Sequence, residues 1–132
     1  MTKQIAGSCH CGKVRFSAAV EAQHETSRCN CSICLRQRFW KAIVPAADFK
    51  LESGDDAIRE YMFGGHNIHH FFCATCGVKV FGRGNFDPIG DFVAVNVGCL
   101  DLSAEQLAAL PVVFQDGAHD RWDRQPNHVG YL

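Results

Sequence analysis

A chain of 132 residues with 47% hydrophobic content, and no apolar run near the roughly 20 residues of a membrane span, is expected to form one soluble globular domain over residues 1–132. Its 13 basic and 14 acidic residues are well mixed and leave a formal net charge of −1, which speaks against nucleic acid as a partner and leaves only a local basic patch, Arg36, Arg38 and Lys41. The N-terminus, MTKQIAGSCHCG, has no apolar stretch of signal-peptide length, so a cytoplasmic location with reduced thiols is expected.

In chain order, Lys13 to Val20 alternates Val14 and Phe16 inward with Lys13, Arg15 and Ser17 outward, the period of a half-buried strand. A single helical turn is placed at Ser32 to Arg38. Further strand-like runs are Trp40 to Val44, Arg59 to Phe63, His69 to Phe72, Val78 to Arg83, Phe92 to Val97 and Val112 to Gln115, with loops expected at Gly54 to Asp56 and Gly82 to Gly90. Ser103 and Gln106 form a capping box among Leu102, Leu107 and Leu110, and Pro111 ends the helix that follows. The pattern predicts a mainly β domain with one short helix. There is no internal repeat beyond the recurring cysteine pairs, and no linker long enough to divide the chain.

Seven of the eight cysteines fall into three tight clusters: Cys9 and Cys11; Cys29, Cys31 and Cys34; Cys73 and Cys76. An even cysteine count in a short chain also describes a cross-linked secreted framework. The absence of an export signal, the CxC and CxxC spacings and the turn glycines Gly12 and Gly77 favour metal binding instead.

Four thiolates close a tetrahedral shell around zinc, whereas three leave one position open. Cys9, Cys11, Cys73 and Cys76 are read as the closed, structural set, tying the N-terminal strand to the middle of the chain; the rival arrangement pairs Cys9 and Cys11 with the middle cluster. His10, between two ligands, is expected to face solvent. Cys29, Cys31 and Cys34 are read as the open set, so that two zinc ions per chain are expected. Its fourth ligand is not obvious: Cys99, His24, His66, His69 and His70 are candidates, although Cys99 reads as a small residue at a strand end and the last two histidines as part of an aromatic strand. Thiolate sets also hold iron. A zinc held by three sulfurs suits thiol chemistry, because a thiol joining them is deprotonated and can be directed at an electrophilic carbon such as an aldehyde. The competing reading is a second fold-holding zinc or an empty thiol cluster.

The motifs GSCHCG, CNCSIC and FCATCG, in this order and at these separations, make the chain similar to the glutathione-dependent formaldehyde-activating enzyme family, which also includes centromere protein V. The likeness spans almost the whole chain. It implies a β-rich zinc domain of the β-tent kind, a structural zinc on Cys9, Cys11, Cys73 and Cys76, and a catalytic zinc on Cys29, Cys31 and Cys34. Two further stretches resemble the family, FGRGNFDPIGDFVAVNVGCLD (81–101) and DGAHDRW (116–122). They place Arg83, Asn85, His119 and Trp122 near a pocket, where arginine can hold a carboxylate and tryptophan can wall an apolar stem; the plainer reading of 116–122 is a turn pinned by Trp122. The chain departs from the family at Asn30, where histidine is frequent, and at Leu35, where arginine is frequent and is found one place later, at Arg36.

The implied activity is that of a carbon–sulfur lyase, reversibly joining glutathione and formaldehyde as S-hydroxymethylglutathione with no cofactor beyond zinc. The alternative is a non-catalytic zinc-stabilised binding module or glutathione carrier.

Overall fold

The structure is a computed structural model that describes residues 2–65 and 67–132. The described residues form ten strands: β1 (Thr2–Ser8), β2 (Arg15–Glu21), β3 (Thr26–Cys29), β4 (Trp40–Pro45), β5 (Phe49–Ser53), β6 (Ile58–Tyr61), β7 (His69–Cys73), β8 (Lys79–Phe86), β9 (Gly90–Asn96) and β10 (Val112–Gln115). Two short helices accompany them, α1 (Ser32–Gln37) and α2 (Ala104–Ala108). The mainly β domain is as expected; the helical turn foreseen at Ser32 is a second short helix. No helix among the described residues is long and apolar enough to cross a membrane.

The strands make two sheets, a small one in the order β1-β2-β5 and a large one in the order β10-β3-β4-β9-β8-β7-β6. Every pairing is antiparallel except β10 with β3, which is parallel. The large sheet has two apolar faces, and alternation along β4 and β9 assigns each residue to one of them. Ala42, Val44, Val93 and Val95 join Phe16 and Ala18 of β2 and Phe81 of β8 in the first core, beneath the small sheet. Ile43, Phe92 and Ala94 face the other way, into a second core with Cys29, Cys34 and Phe39, which α1 covers.

The expected loop at Gly82 to Gly90 is corrected. β8 continues to Phe86 and β9 begins at Gly90, paired from Phe81↔Val95 to Phe86↔Gly90. Gly84, which read as loop, is a strand position with no room for a side chain: a Cβ there would lie 2.6 Å from Ile68 Cδ1 and 2.8 Å from Phe92 Cζ.

Three strands carried no readable signal. β1, TKQIAGS, is an edge strand of the small sheet, where polar residues are tolerated, and β5 is the opposite edge. β3 buries Thr26 and Ser27, polar residues that usually mark a surface. Thr26 is satisfied on two sides, its hydroxyl donating to Pro111 O at 2.7 Å and accepting from Trp40 Nε1 at 2.7 Å. The capping box at α2 forms as read: Gln106 N donates to Ser103 Oγ at 3.1 Å and Ser103 N to Gln106 Oε1 at 2.8 Å.

Candidate metal centres

Cys9 and Cys11 lie in the turn between β1 and β2, Cys73 ends β7, and Cys76 sits in the turn before β8. Gly12 and Gly77, at φ 83° and 77°, take the left-handed conformation that lets both turns curl around one point. The ligand atoms of these four cysteines all lie within 4.8 Å of one another. Cys11 Sγ is 3.6 Å from Cys9 Sγ and 3.7 Å from Cys73 Sγ. These separations exceed a disulfide bond of about 2.05 Å, and they match the edge of about 3.8 Å that a tetrahedron with metal–sulfur distances of about 2.3 Å requires. The set fits zinc. The middle cluster is separate, so the rival pairing of Cys9 and Cys11 with it is not formed, and His10 is exposed.

Backbone amides supply much of the charge compensation here. Val14 N donates to Cys9 Sγ at 3.4 Å. The amides of Cys11 and Val78 hold the Cys76 thiol down at about 6, and those of Cys76 and Thr75 lower Cys73. Cys11 is raised to about 11: the Lys13 amide favours its thiolate, but burial and the sulfurs of Cys9, Cys73 and Cys76 outweigh it.

Cys29 ends β3, Cys31 is the N-cap of α1, and Cys34 lies within it, with all three ligand atoms inside 4.8 Å. Cys31 N donates to Cys29 Sγ at 3.3 Å. Cys31 is the acidic member: the Cys29 and Cys34 thiols stabilise its thiolate, and the amides of Cys34 and Ile33 assist without closing a cap hydrogen bond. Cys29 is raised chiefly by Cys31, against a lowering by Cys34, and Cys34 is raised chiefly by Cys29 and Cys31. Without a cation, like-charge repulsion keeps the three from ionising together; a divalent soft ion removes that obstacle, so this set also fits zinc.

None of the described candidates for a fourth ligand joins the three-cysteine set. Cys99 belongs to the first core, with its thiol pushed up to about 12 by burial and then by Cys9 and Cys76, which places it by the four-cysteine centre. His24 Nε2 is 2.9 Å from Ile43 O, and its Nδ1 accepts from Glu21 N at 3.3 Å. His69 Nδ1 pairs with Glu60 Oε1 at 2.7 Å, and His70 Nδ1 accepts from Lys79 Nζ at 2.7 Å. His66 lies outside the described residues.

A turn from the C-terminal part of the chain flanks Cys29. Asn30 donates to Asp116 Oδ1 at 2.9 Å and accepts from Ala118 N at 2.9 Å, pinning residues 116–118 beside the cluster. Gly117 is required there, because a Cβ would lie 2.5 Å from Cys29 Sγ and 2.6 Å from the Trp122 ring. His119 Nδ1 bonds Asp116 Oδ1 at 2.9 Å, and Trp122 Nε1 bonds Asp120 Oδ1 at 3.0 Å. Asp116, 3% exposed, is held at about 2 by Asn30 and then His119, with Arg124 adding to them. Trp122 and His119 thus share the turn beside the three-cysteine centre.

Arg83 and Asn85 are not brought to it. The Arg83 guanidinium lies 5.4 Å from the ring centroids of Phe49 and Phe81, on the face of the first core, and Asn85 bonds Asp91 at 2.7 Å on the exposed end of the β8–β9 hairpin. The expected basic patch is likewise divided: Arg36 donates to Ser32 O, Arg38 to Tyr131 O, and Lys41 to Gln115 Oε1.

Two features escaped the sequence reading. An open groove of about 520 Å³ runs between Ser32, Ile33 and Arg36 of α1 and the aromatic residues Tyr61, Phe63 and Phe72. Tyr61 and Phe63 stack at 5.8 Å, and Phe63 stacks on His70 at 5.6 Å. The second is Lys79, buried at 7% exposure in the apolar run GVKVFG, where a lone lysine was the available signal. Burial lowers its ammonium to about 8, although the charges of Cys34 and Cys31 favour it.

The fold is similar to the crystal structure of a Rhodobacter sphaeroides protein, with a TM-score of 0.69 and 27% identity over 82% of this chain and 99% of that one. Residues 4–115, which contain both cysteine centres, match the family model described as glutathione-dependent formaldehyde-activating enzyme, and the chain belongs to that family.

Proposed function

We propose that the chain is a zinc-dependent carbon–sulfur lyase that reversibly joins glutathione and formaldehyde as S-hydroxymethylglutathione. The observation that carries this reading is the three-cysteine set, Cys29, Cys31 and Cys34, which no fourth His, Cys, Asp or Glu among the described residues joins. Zinc held there supplies Lewis acidity and lowers the pKa of a thiol beside it.

The reaction needs no redox partner. The glutathione sulfur forms a bond to the carbonyl carbon, the carbonyl π bond becomes the new C–O–H, and the thiol proton ends on that oxygen. The chain's own residues handle position and proton. The groove beside α1 presents aromatic faces for the body of the thiol compound. His119 has its Nδ1 oriented by Asp116, which leaves Nε2 to carry a proton between the thiol and the new hydroxyl, while Trp122 walls that side. Arg83 and Asn85 have no part in this arrangement. Free thiols of this kind persist in a reducing cytoplasm, the compartment the reading requires.

The test is exchange between free and adducted formaldehyde in the presence of glutathione, followed by NMR with zinc-loaded protein. Acceleration that disappears in Cys31→Ser with the fold intact is the expected result. An exchange rate equal to that of the uncatalysed mixture sinks the lyase reading, and tight glutathione binding at that rate would make the protein a carrier.

A further inference from the structure

Lys79 opens β8 at a bulge: Phe72 pairs with Lys79 and Phe71 with Phe81, so Val80 is the extra residue. Val80 and Phe81 both enter the first core, while the Lys79 ammonium lies in the second, 3.8 Å from the centroid of Phe39. The backbone carbonyl of Lys79 is taken up by Asn96 Nδ2 at 2.7 Å.

A buried ammonium is costly unless an opposite charge compensates it. Among the described residues no carboxylate lies within ion-pair range of Lys79. Its partners are the Phe39 face and His70 Nδ1, at 2.7 Å, neither of them negative. Because the ammonium can only donate, His70 Nδ1 is the acceptor and the imidazole is neutral, with its proton on Nε2. The negative charge available to Lys79 is that of the cysteines. Phe39 packs with Cys29 and Cys34, and its amide donates to Cys34 O at 3.0 Å. Lys41, on β4, favours the Cys34 thiolate and also has no carboxylate partner among the described residues, its Nζ donating to Gln115 Oε1 at 2.9 Å. At the four-cysteine centre the comparable lysine is Lys13, whose Nζ lies at the surface, 3.4 Å from Thr75 Oγ1.

We propose that Lys79 is the resident counter-cation of the three-cysteine centre, a positioning residue that biases the fourth place on a metal held there toward an anionic sulfur and against a neutral ligand. Three thiolates on a divalent ion leave one net negative charge, and a fourth thiolate makes it two. In a half-buried pocket that second charge is unfavourable unless a fixed cation faces it, and Lys79 is such a cation, with Lys41 in support. A neutral ligand adds no charge and gains nothing from the lysine. This rests on the reading of Cys29, Cys31 and Cys34 as a metal site.

The test uses the full chain loaded with cobalt(II), whose absorption bands report each ligand set, titrated with 2-mercaptoethanol and separately with imidazole. Lys79→Met is expected to weaken thiol binding about tenfold or more while leaving imidazole binding unchanged, and Lys79→Arg to keep the thiol preference. The four-cysteine bands report whether each variant is folded; should Lys79→Met fail there, Lys79→Gln removes the charge while keeping a donor for His70. Equal changes for both ligands, no change for either, or loss of the preference in Lys79→Arg would overturn the proposal. If cobalt fails to occupy Cys29, Cys31 and Cys34 in the unaltered chain, the metal reading falls and this proposal with it, an outcome seen before any lysine is replaced.

Discussion

The two cysteine centres use the same ligand in different settings. Around Cys9, Cys11, Cys73 and Cys76 the sulfurs face amides of Val14, Val78, Cys76 and Thr75, groups that every residue except proline carries. Around Cys29, Cys31 and Cys34 the compensation includes side chains, Lys79 and Lys41, and one wall is a turn delivered by Asn30 and Gly117. A centre balanced by backbone depends little on its neighbours' identity and serves to fix geometry. A centre balanced by side chains can be tuned, and tuning is what binding and chemistry require.

The comparison breaks most sharply at the ligands. Cys73→Ser removes a sulfur that is fully buried in the first core, and is expected to cost on the order of 5 kcal/mol and to abolish cooperative thermal unfolding. Cys31→Ser is expected to leave the unfolding transition in place while metal content, by elemental analysis, falls from two ions per chain to one. If both variants unfold, the distinction between the centres is lost.

Gly117→Ala sharpens it from the other side. A methyl pressed against Cys29 Sγ and Trp122 is expected to cost about 1–3 kcal/mol and to speed metal release to a chelator from the three-cysteine centre alone. Asn30→Ala removes both anchors of the 116–118 turn and is expected to lower Tm by about 5 °C. The Asp116 carboxyl has a folded-state pKa below its unfolded value, so its contribution is fully present above about 4 and is lost as pH falls through about 2. Asn30→Ala should move that loss to higher pH, read as Trp122 fluorescence during acid titration. The smallest effect belongs to Ser103→Ala, about 1 kcal/mol from the capping box in thermal unfolding, with both metals retained.

Both cysteine groups were legible in the sequence because turns able to bind a metal need closely spaced sulfurs, and Cys29-x-Cys31 and Cys73-x-x-Cys76 announce themselves locally. Strand alternation was legible at Val14 and Phe16, both buried, for the same local reason. Thr26 was not, because its burial depends on Pro111 and Trp40, residues far along the chain. Gly84 misled because glycine marks both a loop and a strand crossed by bulky neighbours, and Ile68 and Phe92, which decide the matter, lie in other elements. Lys79 went unread although it is a lysine among apolar residues, because its role depends on which face of the sheet the bulge turns it toward.

The parallel pairing of β10 with β3 sets an order of assembly during synthesis. Val112 to Gln115 lie beside Thr26 to Cys29, so the edge of the sheet that carries Cys29 stays open until residues 112–115 have been made. The four-cysteine centre needs only residues through Cys76 and can close on a nascent chain. The three-cysteine set gains its flanking turn, residues 116–118, afterwards, so it takes its final shape only after all four sulfurs of the other set have been made.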